Sequence, residues 1–378
     1  MNILFLEPFM GGSHKAFLEG LRENSRHTVI PVTMTDRHWR WRMNGGSVTL
    51  ASKSKEIKEE IDLVLASSMT NLPAFIALTN PRFAHIPFVM YMHENQLTMP
   101  VPENTERDQT YAYINYLSAL SAHKLIFSSG FHYDTFMSEL PVFLKSFADY
   151  SHEDSIRIIE SKSVVMHPGL NLKEHDTTPV YRNRNEKPVV VWNQRWEFDK
   201  NPAMFFRVMN RLDDSGCDFD LILAGDQLHE KPPEFKQIWK RYGKRILHYG
   251  YADNFELYSK LLHTGDIVVS TATYEFFCLA IMEAVYCGCH PFLPNNLTYP
   301  ELIPESLHEP LLHASVFYQN EDDLFKKLRR VLTGDTKPLP KSTLQRINRH
   351  LDWNTRVDQL DILFEQIVDE NRTSLSER

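Results

Sequence analysis

Short, unbroken apolar runs recur along this chain, each followed by a stretch with helical spacing. In the first half they are "NILFLE" (2–7), "HTVIPV" (27–32), "DLVLAS" (62–67), "PFVMYM" (87–92), "KLIFSS" (124–129) and "SVVMHP" (163–168). A strand covered on one face alternates apolar with polar, whereas continuous apolarity suits a strand buried on both faces of a parallel sheet. Such runs alternating with helices are the pattern of βαβ units. The composition turns polar in "KEHDTTPVYRNRNEK" (173–187), which reads as a linker, and a second series follows: "PVVVWN" (188–193), "FDLILAG" (219–225), "RILHYG" (245–250), "DIVVST" (266–271) and "HPFLP" (290–294). At 378 residues the chain suits two domains of roughly 150–200 residues. The expected architecture is α/β: two Rossmann-like doubly wound domains, 1–175 and 186–350, facing across a cleft lined by the carboxyl ends of strands. A tail, 351–378, carries "LDWNTRVDQLDILFEQIV" with apolar positions at helix spacing and is expected to pack near the hinge.

The totals narrow the partners. Hydrophobic residues make up 42% and aromatics 12%, enough for two cores. The formal net charge of −8 argues against coating nucleic acid by bulk charge and leaves room for a local basic patch. Cys217, Cys278, Cys287 and Cys289 show neither CxxC nor zinc-type spacing, and are expected to be reduced, buried thiols of a cytoplasmic protein. "MNILFLEPF" lacks a basic leader, and no apolar stretch approaches the roughly 18–20 residues of a membrane span, so no membrane partner is expected.

Several loops carry candidate chemistry. In "LEPFMGGSHKAFLEGL", Gly11 and Gly12 follow the first strand and Ser13 opens a helix, a setting in which free N–H groups favour a phosphate or sugar hydroxyl. An ordinary tight turn is the alternative, although His14 and Lys15 add polar reach. In "YMHENQL" (91–97), His93 falls at a strand's carboxyl end, where it would bond a reacting sugar or carry a proton, or would simply be a structural histidine oriented by Glu94. In "NQRWEFDKNP", Arg195 and Lys200 converge after the second domain's first strand; a forked guanidinium and a point charge would neutralise a diphosphate, or else pair with Glu197 or Asp199 on the surface.

The stretch "STATYEFFCLAIMEAVYCGCHPFLP" places Glu275 after a strand and Glu283 inside a nearly all-apolar helix. A carboxylate so embedded is costly unless it meets donors, which a ribose diol, or a core Arg or Tyr, would supply. The amides of Phe276, Phe277 and Cys278 are expected at a helix start facing a sugar or β-phosphate. A glycosidase pair is disfavoured, because eight helical residues span about 12 Å against the ~5–9.5 Å that such carboxyls need. Asp218 and Asp220 of "DFD" precede their strand, away from the expected cleft, and no catalytic metal is expected.

Together these residues resemble family-four-type retaining glycosyltransferases of the GT-B fold, whose E-x7-E element matches Glu275 and Glu283 and whose Arg-x4-Lys pair matches Arg195 and Lys200. More narrowly, the chain resembles the tRNA-queuosine alpha-mannosyltransferase family through "GGSHK" (11–15), Trp39, Trp41 and Arg42, "HENQL" (93–97), "ERD" (106–108), "RWEFDK" (195–200), "EFFCLAIMEAVYCGCHP" and "YPEL" (299–302). The resemblance implies transfer of mannose from GDP-mannose to the cyclopentenediol of queuosine in a tRNA anticodon loop, without a cofactor. It implies that Arg195 and Lys200 hold the diphosphate, Glu283 the ribose, and Glu275 with the following amides the mannose. His93 would stand by the reacting carbon. Cys278 departs from the glycine common at that position. The first domain would bind the acceptor through His14, Lys15, Asn95, Gln96 and the element "TDRHWRWR" (35–42). There Trp39 and Trp41 would stack unpaired bases while Arg40 and Arg42 meet phosphates. Alternatively, the tryptophans anchor this loop and the arginines face solvent. A GT-B transferase with another sugar nucleotide or glycan acceptor, and a non-catalytic RNA- or nucleotide-binding module, are the competing functions.

Overall fold

The computed structural model describes residues 1–101, 106–178, 187–225 and 234–377. Two compact units emerge, Met1–Gly169 with Trp353–Arg378, and Leu170–Asp352.

The first unit is a parallel sheet of β1 (Asn2–Met10), β2 (Thr28–Thr35), β3 (Leu63–Ser67), β4 (Phe88–Met92), β5 (Lys124–Phe127) and β6 (Ser163–Val165), in the order β2-β1-β3-β4-β5-β6. Every residue of β3 and β4 is buried, as their unbroken apolarity requires. In register, Leu65 lies beside Phe5 on one side and Val89 on the other. Pro31, which has no N–H to give a ladder, sits in β2 at the sheet's edge.

The second unit repeats the plan with β7 (Val189–Trp192), β8 (Asp220–Ala224), β9 (Ile246–Gly250), β10 (Ile267–Val269), β11 (His290–Pro294) and β12 (Phe317–Tyr318), in the order β12-β11-β10-β7-β8-β9. Each run read as a strand forms one. The two-residue β12 was not anticipated, being too short to leave a pattern.

Strand order reverses direction between β1 and β3 in one sheet and between β7 and β10 in the other. At such a point neighbouring crossover helices diverge and leave a crevice beyond the carboxyl ends of the strands. Two crevices, one per unit, are therefore fixed by topology.

The domain boundaries differ from expectation. Residues 173–178 are not linker but part of the second unit: His175 is fully buried with its Nδ1 3.0 Å from Ser259 Oγ, and the Tyr286 hydroxyl donates to Asp176 at 2.8 Å. The rest of that polar stretch, 179–186, lies outside the described residues. The tail is not a separate element either. The helix Trp353–Ser376 belongs to the first unit, where Trp353 packs 5.6 Å from the Phe17 ring. Gly20 and Gly169 cradle the indole so closely that any side chain at either position would collide with it. All four cysteines are free and buried, as expected. Among the described residues no helix is long and apolar enough to cross a membrane.

Candidate active site

The first unit's crevice is built around a histidine. Glu7 is fully buried within β1, where an ionised carboxylate must find donors. It accepts the Phe9 N–H at 2.9 Å, and His14 Nδ1 lies 2.8 Å from its other oxygen. His14 sits in the first turn of the helix Gly12–Asn24, and its Nε2 is 3.0 Å from Glu94, just past β4. Glu94 also accepts from Ser68 Oγ at 3.2 Å, beyond β3. Burial alone would depress His14, but the charges of Glu7 and then Glu94, with their hydrogen bonds, raise it well above the ordinary imidazole value. In return, although burial opposes it, His14 brings Glu94 down to about 2.

His93 packs against this group, its ring tilted 39° to that of His14 at a centroid distance of 4.3 Å, 4.7 Å from Tyr91 and edge-on to Phe17 at 5.0 Å. Burial, then the His14 charge, lowers it well below the ordinary value. Its Nε2 is buried and meets no hydrogen-bond partner among the described residues. Glu7, His14 and His93 each offer one atom of ligand type, all within 4.8 Å of one another. Both His14 nitrogens already face carboxylates, so the group is a hydrogen-bonded ion cluster rather than an open set of metal ligands.

This geometry corrects part of the acceptor assignment. His14 is buried with both nitrogens engaged, so it cannot also reach out to RNA. Asn95 is fully buried and its Oδ1 accepts from the Thr98 N–H and hydroxyl, holding its own loop. Gln96 is buried too; its N–H donates to Asn115 and its carbonyl accepts from Arg107. Lys15 remains exposed, beside Glu19 at 3.6 Å. Gly12, at φ +52°, opens the helix with space about its Cα, and a side chain at Gly11 would strike Asp36.

The element 39–42 is not a loop but the first turn of the helix Trp39–Ser54. Its periodicity separates the two tryptophans. Trp39 turns inward, 5.1 Å from Tyr111, with Arg40 5.3 Å over its ring, while Trp41 is 64% exposed. Arg42 is tied back to Thr35, whose hydroxyl it meets at 3.0 Å.

The second unit's crevice is built around a lysine. Beyond β7, Trp196 stacks 4.1 Å from Phe235 and anchors the loop, leaving the Arg195 side chain 48% exposed and 3.4 Å from Glu197. Lys200 is buried, its Nζ 3.0 Å from Asp199, from Glu275 and from the Tyr274 carbonyl. The loops beyond β7 and β10 are laced together: Thr271 Oγ1 donates to the Lys200 carbonyl at 2.8 Å, and Thr273 N–H to the Asp199 carbonyl at 2.8 Å. Burial opposes the charge on Lys200, but Glu275 and then Asp199 raise it above the ordinary value. Lys200 and Glu275 thus do meet at this edge, and Arg195 is close enough for its charge to act on Lys200.

Glu283 stands apart from that trio. Its carboxylate accepts the Tyr258 hydroxyl at 2.8 Å, and Tyr258 in turn accepts from Asn193 Nδ2 at 3.2 Å. Burial pushes Glu283 up to about 7, against the Tyr258 hydrogen bond, which lowers it. The helix here is Leu279–Cys287, capped by Cys278, so two expectations fail. Phe276 and Phe277 precede the helix instead of forming its first turn, and the Glu275–Glu283 separation is not set by helical rise. What distinguishes the two carboxylates is environment: one is neutralised by Lys200, the other sits in apolar surroundings with a phenol. The Cys278 thiol, pushed up to about 12 by burial and then by Glu275, is neutral beside Gln194. Asp218 pairs with Lys187 at 2.9 Å, at the amino end of β8 and away from this edge. Glu7 is a site residue that the sequence reading missed, whereas Glu197 and Asp199 do pair with Arg195 and Lys200, and Tyr258 is the core tyrosine that meets Glu283.

Comparison with known proteins agrees with this arrangement. Residues 2–170 match the family described as tRNA-queuosine alpha-mannosyltransferase N-terminal, and residues 174–346 match glycosyl transferases group 1. Among solved structures, Anabaena Alr3699/HepE in complex with UDP and glucose superposes with a TM-score of 0.66 at 16% identity, covering 97% of this chain and 100% of that one. Sucrose-phosphate synthase from Thermosynechococcus elongatus gives 0.72 at 14% identity, over 98% and 100%. These likenesses show the GT-B fold. A tRNA-queuosine alpha-mannosyltransferase of Drosophila melanogaster is 34% identical over 312 residues, 80% of this chain and 82% of the relative. The chain is a glycosyltransferase and belongs to the tRNA-queuosine alpha-mannosyltransferase family.

Proposed function

We propose that the protein transfers mannose from GDP-mannose to a hydroxyl on the cyclopentenediol of queuosine, in the anticodon loop of a cytoplasmic tRNA. The observation that carries this reading is the pairing of Lys200 with Glu275 at the carboxyl edge of β7 and β10, with Arg195 half-exposed on the same loop as Lys200, in a member of this family. Arg195 presents a half-exposed fork to a diphosphate, and Lys200 supplies a fixed charge behind it. Glu283 keeps a carboxylate in a protected setting suited to a ribose diol. Glu275, held by Lys200, is placed to accept from mannose hydroxyls.

In the proposed step the bond between the sugar's anomeric carbon and the GDP oxygen breaks, and the acceptor oxygen bonds the same face. The acceptor proton passes to the departing phosphate, so configuration is retained and no protein base is needed. The cations of the chain take the place of a metal in neutralising the leaving group. Exposed Trp41, with Arg40 and Lys15 on the same unit, would contact the tRNA by stacking and charge. Incubation with GDP-mannose and queuosine-containing tRNA in EDTA should add one mannose mass to the modified nucleoside. Absence of that increment, with the sugar nucleotide intact, rejects the reading; UDP-sugars assayed in parallel test the donor.

A further inference from the structure

We propose that Glu7, His14 and Glu94 are positioning residues for His93: they hold a cation against its ring, so that the imidazole is offered to the bound sugar uncharged and with Nε2 unspent. The inference rests on the functional reading above only for the identity of that sugar.

A neutral imidazole has one N–H, yet both nitrogens of His14 lie within hydrogen-bond distance of carboxylate oxygens, at 2.8 and 3.0 Å. Carboxylates only accept, so both contacts are satisfied together only by the doubly protonated ring. The clamp therefore defines a buried imidazolium. His93 lies ring against ring with it at 4.3 Å, and a second proton there would set two like charges side by side in a water-poor site.

The other groups facing His93 do not reverse this. Glu94, the acid beside it, is spent on His14 and Ser68. Tyr91 donates its hydroxyl to the Met166 carbonyl. His132, from the helix after β5, is itself buried, with its Nδ1 3.0 Å from Ser128 Oγ. Phe17 brings no charge. The four strands behind these residues, β1, β3, β4 and β5, are neighbours in the sheet, so the set is held by rigid elements.

The consequence is chemical. As the bond from sugar to phosphate lengthens, positive charge grows at the anomeric carbon and ring oxygen. A protonated His93 beside that centre would oppose it, whereas a neutral imidazole can bond a sugar hydroxyl without that cost. The His14 cation thus acts through His93 and need not touch the sugar.

Two substitutions with opposite expected signs test the assignment in the full-length protein. In His14→Gln the cation is lost while Glu94 stays, so the midpoint of His93, followed by NMR of labelled histidine, should rise by about one pH unit or more. The rate constant kcat for mannosyl transfer should then fall on the acid side, about twofold at the new midpoint and about tenfold one pH unit below it, and recover toward pH 8, with KM for GDP-mannose little changed. In Glu94→Gln the nearest negative charge is lost while Glu7 keeps His14 charged, so the His93 midpoint should fall further and the acid side of the profile stay as in the wild type. A His93 midpoint unmoved in His14→Gln, a kcat loss equal at every pH, or a rise in Glu94→Gln would each overturn the proposal. If His14→Gln does not fold, NMR of labelled His14 in the wild type decides: a ring protonated on both nitrogens at pH 7.5 upholds the clamp, and a singly protonated ring overturns it. Opposite shifts in a protein that transfers no mannose would uphold the electrostatic assignment and reject the functional reading.

Discussion

Each unit buries one cation between two carboxylates at the reversal point of its sheet, His14 between Glu7 and Glu94, Lys200 between Asp199 and Glu275. The same topology explains both, since loops from adjacent diverging crossovers bring chain segments far apart in sequence to one edge. The difference lies in what the cation is. A lysine keeps its proton across the whole useful range, and its partners hold it as a permanent charge. A histidine is charged here only because two carboxylates make it so, and its charge decides the state of the ring beside it. One buried cation is therefore permanent, and the other depends on its neighbours.

The severest way to break the comparison is to delete the permanent charge. Lys200→Met leaves Asp199 and Glu275 facing each other without a counter-ion, and removing one partner of a buried pair typically costs about 3–5 kcal/mol. Urea denaturation at pH 7.5 should show that loss. A change under about 1 kcal/mol would mean that the carboxylates need no cation and that the likeness between the units is superficial.

Arg195 sharpens the same contrast, because it is the exposed cation at that edge. Arg195→Ala should weaken GDP binding by about 2 kcal/mol, the scale of hydrogen bonds to charged groups. Thermal stability should stay within about 0.5 kcal/mol, as for a surface substitution. Calorimetric titration with GDP separates the two effects; equal losses in binding and stability would make Arg195 structural.

Glu283 supplies a titration in the second unit that Lys200 does not. Its carboxyl is pushed up to about 7, so below that pH it carries a proton and accepts less well from a diol. GDP affinity should therefore rise with pH through about 7. Tyr258 donates to Glu283 and favours its ionised form, so Tyr258→Phe should move the rise to higher pH and cost about 1 kcal/mol of GDP affinity at pH 7. A GDP affinity constant from pH 6 to 8.5 would remove Glu283 from the ribose site.

The sequence made the strands legible because burial on both faces leaves an unmistakable unbroken run, and it made the Lys200–Glu275 edge legible because both residues fall just beyond such runs. What escaped were partners set by long-range contact. Lys200 and Glu275 are 75 residues apart, and His14 and Glu94 are 80 apart, so no local spacing announces either pair. One misreading and one omission were avoidable from the pattern alone. His14 shares a helix face with the buried Phe17, Leu18 and Leu21, which places it inward despite its exposed neighbour Lys15. Glu7 stands inside a run buried on both faces, where a carboxylate implies a hidden donor. The tail's helix was visible, but which core receives Trp353 depends on the glycines at 20 and 169, far off in sequence.

The smallest effect belongs to Trp41, the first unit's exposed counterpart of Arg195. Trp39 and Trp41 are two residues apart on one helix, so about 200° separates them, and only Trp39 reaches the cluster of Met43, Met69 and Tyr111. Trp41 touches Gly45 on its own helix and otherwise faces solvent. Trp41→Ala should therefore leave folding stability within about 0.5 kcal/mol, while weakening tRNA binding by about 1 kcal/mol, the low end of base–aromatic stacking. GDP affinity should not move, because the guanosine site proposed above lies on the other unit. Measured by tRNA gel shift and GDP calorimetry on one preparation, a loss in tRNA binding alone separates a surface reader of bases from an anchor. A loss of stability without any change in tRNA affinity would assign Trp41 to the helix instead, and leave Arg40 and Lys15 to carry the RNA contact by charge.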